Sequence, residues 1–171
     1  MAKTLILYYS RAGENHFPGG MKVLEEGNTH RVARMMAEAS GADLFQVEPV
    51  EAYAESYKVC VGQAVAQWKG NARPEVKEIP GNVSDYDTLV VGYPIWCGTM
   101  PMCLYTVLEK LDLTGKKVYA LATHEGSAFA QSVDHLKTLC PGADVEAGFE
   151  VKGSMIDVTE AEIRAWAREH L

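Results

Sequence analysis

Two kinds of apolar pattern alternate along the chain. Thr4-Leu5-Ile6-Leu7-Tyr8-Tyr9, Thr88-Leu89-Val90-Val91-Gly92 and Lys117-Val118-Tyr119-Ala120-Leu121-Ala122-Thr123 are short, nearly continuous apolar runs. Such runs predict strands buried on both faces. Asp43-Leu44-Phe45-Gln46-Val47-Glu48-Pro49 alternates instead, as does the segment carrying Val145, Ala147, Phe149 and Val151. Alternation predicts strands with one exposed side, and the Pro closing the first of them suits a sheet edge. Helical spacing fills the intervals. Val32, Met35, Met36 and Ala39 share one helical face, and so do Tyr57, Val61, Ala64, Val65 and Trp68. Leu104, Val107, Leu108 and Leu111 mark a third helix, and Phe129, Val133, Leu136 and Cys140 a fourth. A capping box, Thr159-Glu160-Ala161-Glu162, opens a last helix that buries Ile163 and Trp166.

Strict strand–helix alternation predicts an α/β fold: a three-layer, doubly wound, five-stranded parallel sheet. The continuous strands belong in its centre and the alternating ones at its edges. In chain order, that gives the strand order 2-1-3-4-5. No repeat, linker or low-complexity tract interrupts the pattern, so residues 1–171 read as a single domain. Open sheets of this kind bind ligands beyond the carboxyl ends of the strands, where the strand order reverses. The loops after strands one and three should therefore meet.

Both loops are unusual. The first spans nineteen residues, Ser10 to Asn28, where about 2–6 are usual. An insertion at about 14–27 accounts for the excess. It holds Pro18-Gly19-Gly20 and an apolar patch, Met21-Lys22-Val23-Leu24, which suits a small strand or flap. The second loop, Pro94-Ile95-Trp96-Cys97-Gly98, carries large side chains on turn chemistry.

Composition narrows the function. The 171 residues carry 16 Lys and Arg against 23 Asp and Glu, a net charge of −7. That argues against nucleic acid as the main partner, which demands a basic surface. No apolar run reaches the ~20 residues of a membrane span. No basic and apolar leader opens the sequence, so a cytoplasmic protein is expected. Cys60, Cys97, Cys103 and Cys140 form no C-x-x-C pair and lack zinc-like spacing, so reduced thiols and no metal site are expected.

The loops then suggest a binding chemistry. Ser10 offers a hydroxyl, and Ala12 and Gly13 let backbone N–H groups approach a phosphate. Arg11 either pairs with that phosphate or is a surface residue. Asn28 and Thr29 stand at a helix start, where free N–H groups and the helix dipole favour an anion. Asn28 either caps that helix or meets the ligand. Trp96 either stacks on a flat aromatic ring or covers the core. Pro94 stiffens the turn, and Gly98 can adopt positive φ. Cys97 is a small residue or a redox thiol. In the loop after the fourth strand, Thr123-His124-Glu125-Gly126-Ser127, backbone amides and Ser127 could bond the polar edge of the ring. His124 could stabilise charge there.

These segments resemble a known family. Tyr8-Tyr9-Ser10-Arg11-Ala12-Gly13-Glu14-Asn15, Gly27-Asn28-Thr29, Gly92-Tyr93-Pro94-Ile95-Trp96-Cys97-Gly98-Thr99 and Thr123-His124-Glu125-Gly126-Ser127 are similar to bacterial flavodoxin-like proteins with a split phosphate loop. The resemblance covers nearly the whole chain. It implies noncovalent FMN, with phosphate held by Ser10, Arg11, Ala12, Asn28 and Thr29. The ring would be held by Pro94, Ile95, Trp96, Cys97, Gly98, Thr123, His124, Gly126 and Ser127. Trp96-Cys97 stands where the subgroup often has Trp-Trp, which leaves the second aromatic wall open. Two functions are compatible: a carrier passing electrons between partner proteins, or an NAD(P)H-dependent reductase of quinones or similar acceptors. No catalytic residue is assigned. The absence of a second dinucleotide fingerprint favours the carrier. Net negative charge would lower the flavin's reduction potential.

Overall fold

A computed structural model describes residues 2–171. Five parallel strands form the sheet: β1 (Thr4–Tyr8), β4 (Asp43–Gln46), β5 (Thr88–Pro94), β6 (Lys117–His124) and β7 (Asp144–Lys152). Their order is β4-β1-β5-β6-β7, which is 2-1-3-4-5 counted within this sheet. The burial pattern explains the order. β1, β5 and β6 are almost entirely buried, whereas β4 and β7 show one side to solvent.

Two apolar cores flank the sheet. On one side, Leu5, Leu7, Leu89 and Val91 pack beneath α3 (Met102–Leu108) and α4 (Ser132–Leu139). On the other, Ile6, Tyr8, Val90 and Leu121 meet α1 (Asn28–Ser40) and α5 (Ile156–His170). Alternate residues of one strand thus serve opposite cores, as the pleat requires. Gly92 belongs to the crowded centre of β5. A Cβ there would lie 3.0 Å from Tyr8 Cβ and 3.2 Å from Leu121 Cδ2.

The insertion is a β-hairpin, β2 (Gly13–Phe17) and β3 (Gly20–Leu24), which forms a separate two-stranded sheet among the described residues. A lone two-stranded hairpin is marginal in water. This one is fastened to α2 (Tyr57–Lys69): the Glu14 carboxylate accepts the Tyr57 N–H at 2.9 Å. Arg11 adds a second fastening, since its guanidinium donates to the carbonyls of Glu14, Ala54 and Glu55.

Three local expectations are corrected. The last helix begins at Ile156, not at Thr159, and the Thr159 hydroxyl donates to the Met155 carbonyl. Fully buried Ile156 anchors that start in the core, and a 3-10 turn at Gly153–Met155 leads into it. Phe129 precedes its helix, because Ala128 and Ala130 both have positive φ. Trp68 is 47% exposed rather than on a buried face. Helix α2 packs against α3 and the hairpin and buries only Cys60 and Ala64, so it covers the sheet's end more than its face.

Candidate functional site

The carboxyl ends of β1, β5 and β6 converge on one cleft. Ser10, Arg11, Asn28, Thr29, Pro94, Ile95, Trp96, Thr123 and His124 line it. The other expected residues lie around it. Cys97 faces an adjoining cleft beneath α2, and Ala12 a groove toward the β4 side. Gly98, Gly126 and Ser127 belong to the same loops but line neither cleft.

One end of the cleft is built around the start of α1. Its N-cap is Gly27, which has no side chain to cap with. The cap comes from elsewhere in the sequence: the Ser10 hydroxyl accepts the His30 N–H at 3.0 Å. The N–H groups of Asn28 and Thr29 have no intrahelical acceptor by position. No acidic residue occupies the first turn, so the positive end of the helix dipole is free for an anion. Glu26 precedes the N-cap but is engaged with Arg34 at 2.9 Å and His30 at 3.2 Å. The Arg34 hydrogen bond holds the Glu26 carboxyl below its usual range.

Gly27 makes this geometry possible. A Cβ on it would lie 2.2 Å from the Ser10 hydroxyl oxygen and 2.8 Å from the Arg11 carbonyl oxygen. The Ser10 loop and the helix start are therefore in backbone contact. Ser10→Ala should remove the nonlocal cap and lower stability by about 1 kcal/mol, read by urea denaturation.

Asn28 is not a cap. Its Oδ1 is buried with no hydrogen-bond partner. Its amide lies over Gly153 at the end of β7, where a Cβ would fall 2.2 Å from Nδ2. A buried acceptor left unpaired costs about 1–3 kcal/mol, so this atom calls for a donor from a ligand. Beside it, the Thr29 and Thr123 hydroxyls bond each other at 2.8 Å across the cleft floor.

The aromatic end is a tight turn. Trp96 N–H donates to the Thr99 carbonyl at 2.9 Å, and Thr99 N–H returns the bond at 3.0 Å. Cys97 and Gly98, at φ 54° and 75°, have the positive values of a type I′ turn. The Thr99 hydroxyl is tied to Tyr105 and His135, each at 2.7 Å. Trp96 is held edge-on by Tyr9 and Tyr53, with centroids 5.4 and 4.9 Å away. The indole thus packs on the core and also lines the cleft.

Cys97 bears a side chain in a conformation suited to Gly or Asn. Although the residue is exposed, partial desolvation raises its thiol pKa, which leaves little reactive thiolate. Cys97→Asn should therefore stabilise the protein, by about 1 kcal/mol at most, read as a higher denaturation midpoint.

In the third loop, both ring nitrogens of His124 already have protein partners, Gly126 N–H and Glu150. Arg11 likewise gives three of its five donors to backbone carbonyls. Asn15, which belongs to the first resemblance motif, lines the cleft, and so do three residues not assigned to it from sequence: His16, Tyr57 and Glu125. His16 and Tyr57 come from the hairpin and from α2, whose place over the cleft no local pattern reveals. Glu125 carried a signal, since it sits inside the loop already singled out.

Comparison with known proteins bears on what this arrangement is. A flavodoxin family model matches residues 23–170. The chain belongs to the flavodoxin family. A flavodoxin fold also describes its structural neighbours. A Bacteroides eggerthii protein assigned as a flavoprotein is 26% identical, with a TM-score of 0.75 over 97% of this chain and 96% of its own. A Bacteroides uniformis protein assigned likewise is 24% identical, with a TM-score of 0.77 over 96% and 97%. A Lactobacillus acidophilus flavoprotein in complex with FMN is 23% identical, with a TM-score of 0.67 over 92% and 98%. No curated protein matches the sequence.

Proposed function

We propose that this flavodoxin-family protein binds FMN noncovalently and transfers electrons between partner proteins. The observation that carries the FMN reading is the pairing of a free helix start with an orphaned acceptor. The Asn28 and Thr29 N–H groups suit a phosphate, and buried Asn28 Oδ1 suits a hydroxyl of the ribityl chain. A fully ionised phosphate group has no hydrogen to offer that acceptor, whereas a ribityl hydroxyl does. The FMN-bound relative from Lactobacillus acidophilus supports the same cofactor.

Ser10 and the start of α1 would hold the phosphate. Ile95 and Trp96 would bound the ring, and Pro94 stiffens their turn. The loop from Thr123 to Ser127 would receive the ring's polar edge. The flavin would supply the redox chemistry, and the protein supplies binding, orientation and electrostatics. Here Arg11 fastens the hairpin and need not touch phosphate. The charge of −7 supports docking of a basic partner.

One observation favours a second reading. Asn15, His16 and Tyr57 from the hairpin and α2 wall the same cleft, as an enzyme for a small acceptor would need. Anaerobic mixing of FMN-loaded protein with NADH or NADPH separates the two. A carrier leaves the flavin spectrum unchanged over minutes. Prompt bleaching, followed by turnover of a quinone, would replace the carrier by an NAD(P)H-dependent reductase.

A further inference from the structure

The loop after β6 is held by its own histidine. His124 Nδ1 accepts the Gly126 N–H at 2.8 Å. A backbone amide only donates, so Nδ1 carries no proton. The ring proton therefore resides on Nε2, which donates to the Glu150 carboxylate. Glu150 lies on β7 opposite Ala122, two residues before Lys152, the register partner of His124. The His124 side chain is 4% exposed, so its ring is largely shielded from water.

Gly126 is the other half of the arrangement. It sits at φ 146°, yet a Cβ on it would meet nothing within 4 Å. Its requirement is conformational rather than steric, because side-chain-bearing residues rarely occupy that region. An imidazole holding its N–H helps to stabilise such a backbone. The next anchor is Glu125. Its two carboxylate oxygens accept the Ser154 N–H and hydroxyl at 2.6 and 2.7 Å. Among the described residues, the N–H groups of Glu125 and Ser127 have no acceptor. The loop is thus fastened by side chains, while the amide of Glu125, a cleft-lining residue, stays available.

We propose that Glu150 is a positioning residue for this loop: its carboxylate keeps His124 in the Nε2–H tautomer, leaving Nδ1 to pin Gly126 and set the neighbouring Glu125 amide for the ligand. The ligand's identity rests on the FMN reading above; the lock does not. His124 then acts on the ligand through the backbone, and its ring donates no proton to it. Glu150 occupies an edge strand and is itself partly exposed, so replacing it should leave the fold intact.

The test compares wild type, Glu150→Leu and Glu150→Gln, without ligand and then with FMN or riboflavin. Imidazole nitrogen NMR of the wild-type apoprotein should show His124 with a bare Nδ1 and a protonated Nε2. Glu150→Leu should redistribute the tautomers and speed Gly126 amide exchange by about tenfold, the scale of one lost charged hydrogen bond. Glu150→Gln keeps a carbonyl acceptor and should restore most of both signals. FMN and riboflavin should weaken by the same factor in Glu150→Leu, because the loop faces the ring rather than the phosphate. A protonated Nδ1 in wild type, or unchanged Gly126 exchange in Glu150→Leu, would overturn the lock. A normal lock in protein that takes up no flavin would instead refute the cofactor reading.

Discussion

Gly27→Ala is expected to weaken FMN binding by about 10- to 100-fold while the sheet stays folded. The added methyl would stand 2.2 Å from the Ser10 hydroxyl oxygen, 2.8 Å from the Arg11 carbonyl oxygen and 2.9 Å from the Arg11 carbonyl carbon. Side chains can rotate away from such contacts, but backbone cannot. Either the Ser10 loop or the first turn of α1 must move, and overpacking of this kind costs about 1–3 kcal/mol. At 1.4 kcal/mol per tenfold change, that cost matches the expected loss. The displacement also breaks the Ser10 cap on His30 N–H. Riboflavin lacks the phosphate and should weaken much less. Equal losses for the two flavins, measured by fluorescence titration, would move the phosphate away from the start of α1.

Trp96→Ala should lower both stability and flavin affinity, without distinguishing FMN from riboflavin. The indole makes edge-to-face contacts with Tyr9 and Tyr53, at interplanar angles of 75° and 88°. Each such contact is worth about 0.5–1.5 kcal/mol beyond burial. Trp96 is only half-buried, so the loss should sit near the low end for truncating a large aromatic, about 3 kcal/mol. Flavin affinity should fall by about tenfold, the scale of one lost aromatic contact. Trp96→Phe should recover most of the stability, since a smaller ring still reaches Tyr9 and Tyr53. Loss of stability with unchanged flavin affinity would leave the indole as a core residue alone.

The fold was legible because its strands differ in kind. Leu5-Ile6-Leu7 and Leu89-Val90-Val91 have no polar side to offer solvent, so they belong between other strands and between two helix layers. Glu146, Glu150 and Lys152 require water beside β7, which places it at an edge. The corrected helix start shows where such reading fails. Thr159-Glu160-Ala161-Glu162 has capping chemistry, but burial of Ile156 extends the helix past it by tertiary contact.

The cleft was legible where its residues sit on the strand ends. Ser10, Thr29, Ile95, Trp96 and Thr123 all follow from the strand order. The roles of the polar side chains were less so. Arg11 looks available to an anion, but three of its donors go to the carbonyls of Glu14, Ala54 and Glu55, two of them distant in sequence. The roles of Gly27 and Gly153 depend on what crosses beside them, namely the Ser10 loop and the Asn28 amide. The hairpin had a turn signal in Pro18-Gly19-Gly20, yet its attachment to α2 through Glu14 is invisible in a local window. Partners distant in sequence leave no periodic trace.

The central claim is that the cleft at the ends of β1, β5 and β6 holds FMN with its phosphate at the start of α1. Titration of the flavin-free protein with FMN and with riboflavin, followed by flavin fluorescence, tests it most directly. The account predicts one FMN per chain, bound at least about a hundredfold more tightly than riboflavin, the scale of two charged hydrogen bonds. Riboflavin bound as tightly as FMN, or no uptake of either, would contradict it.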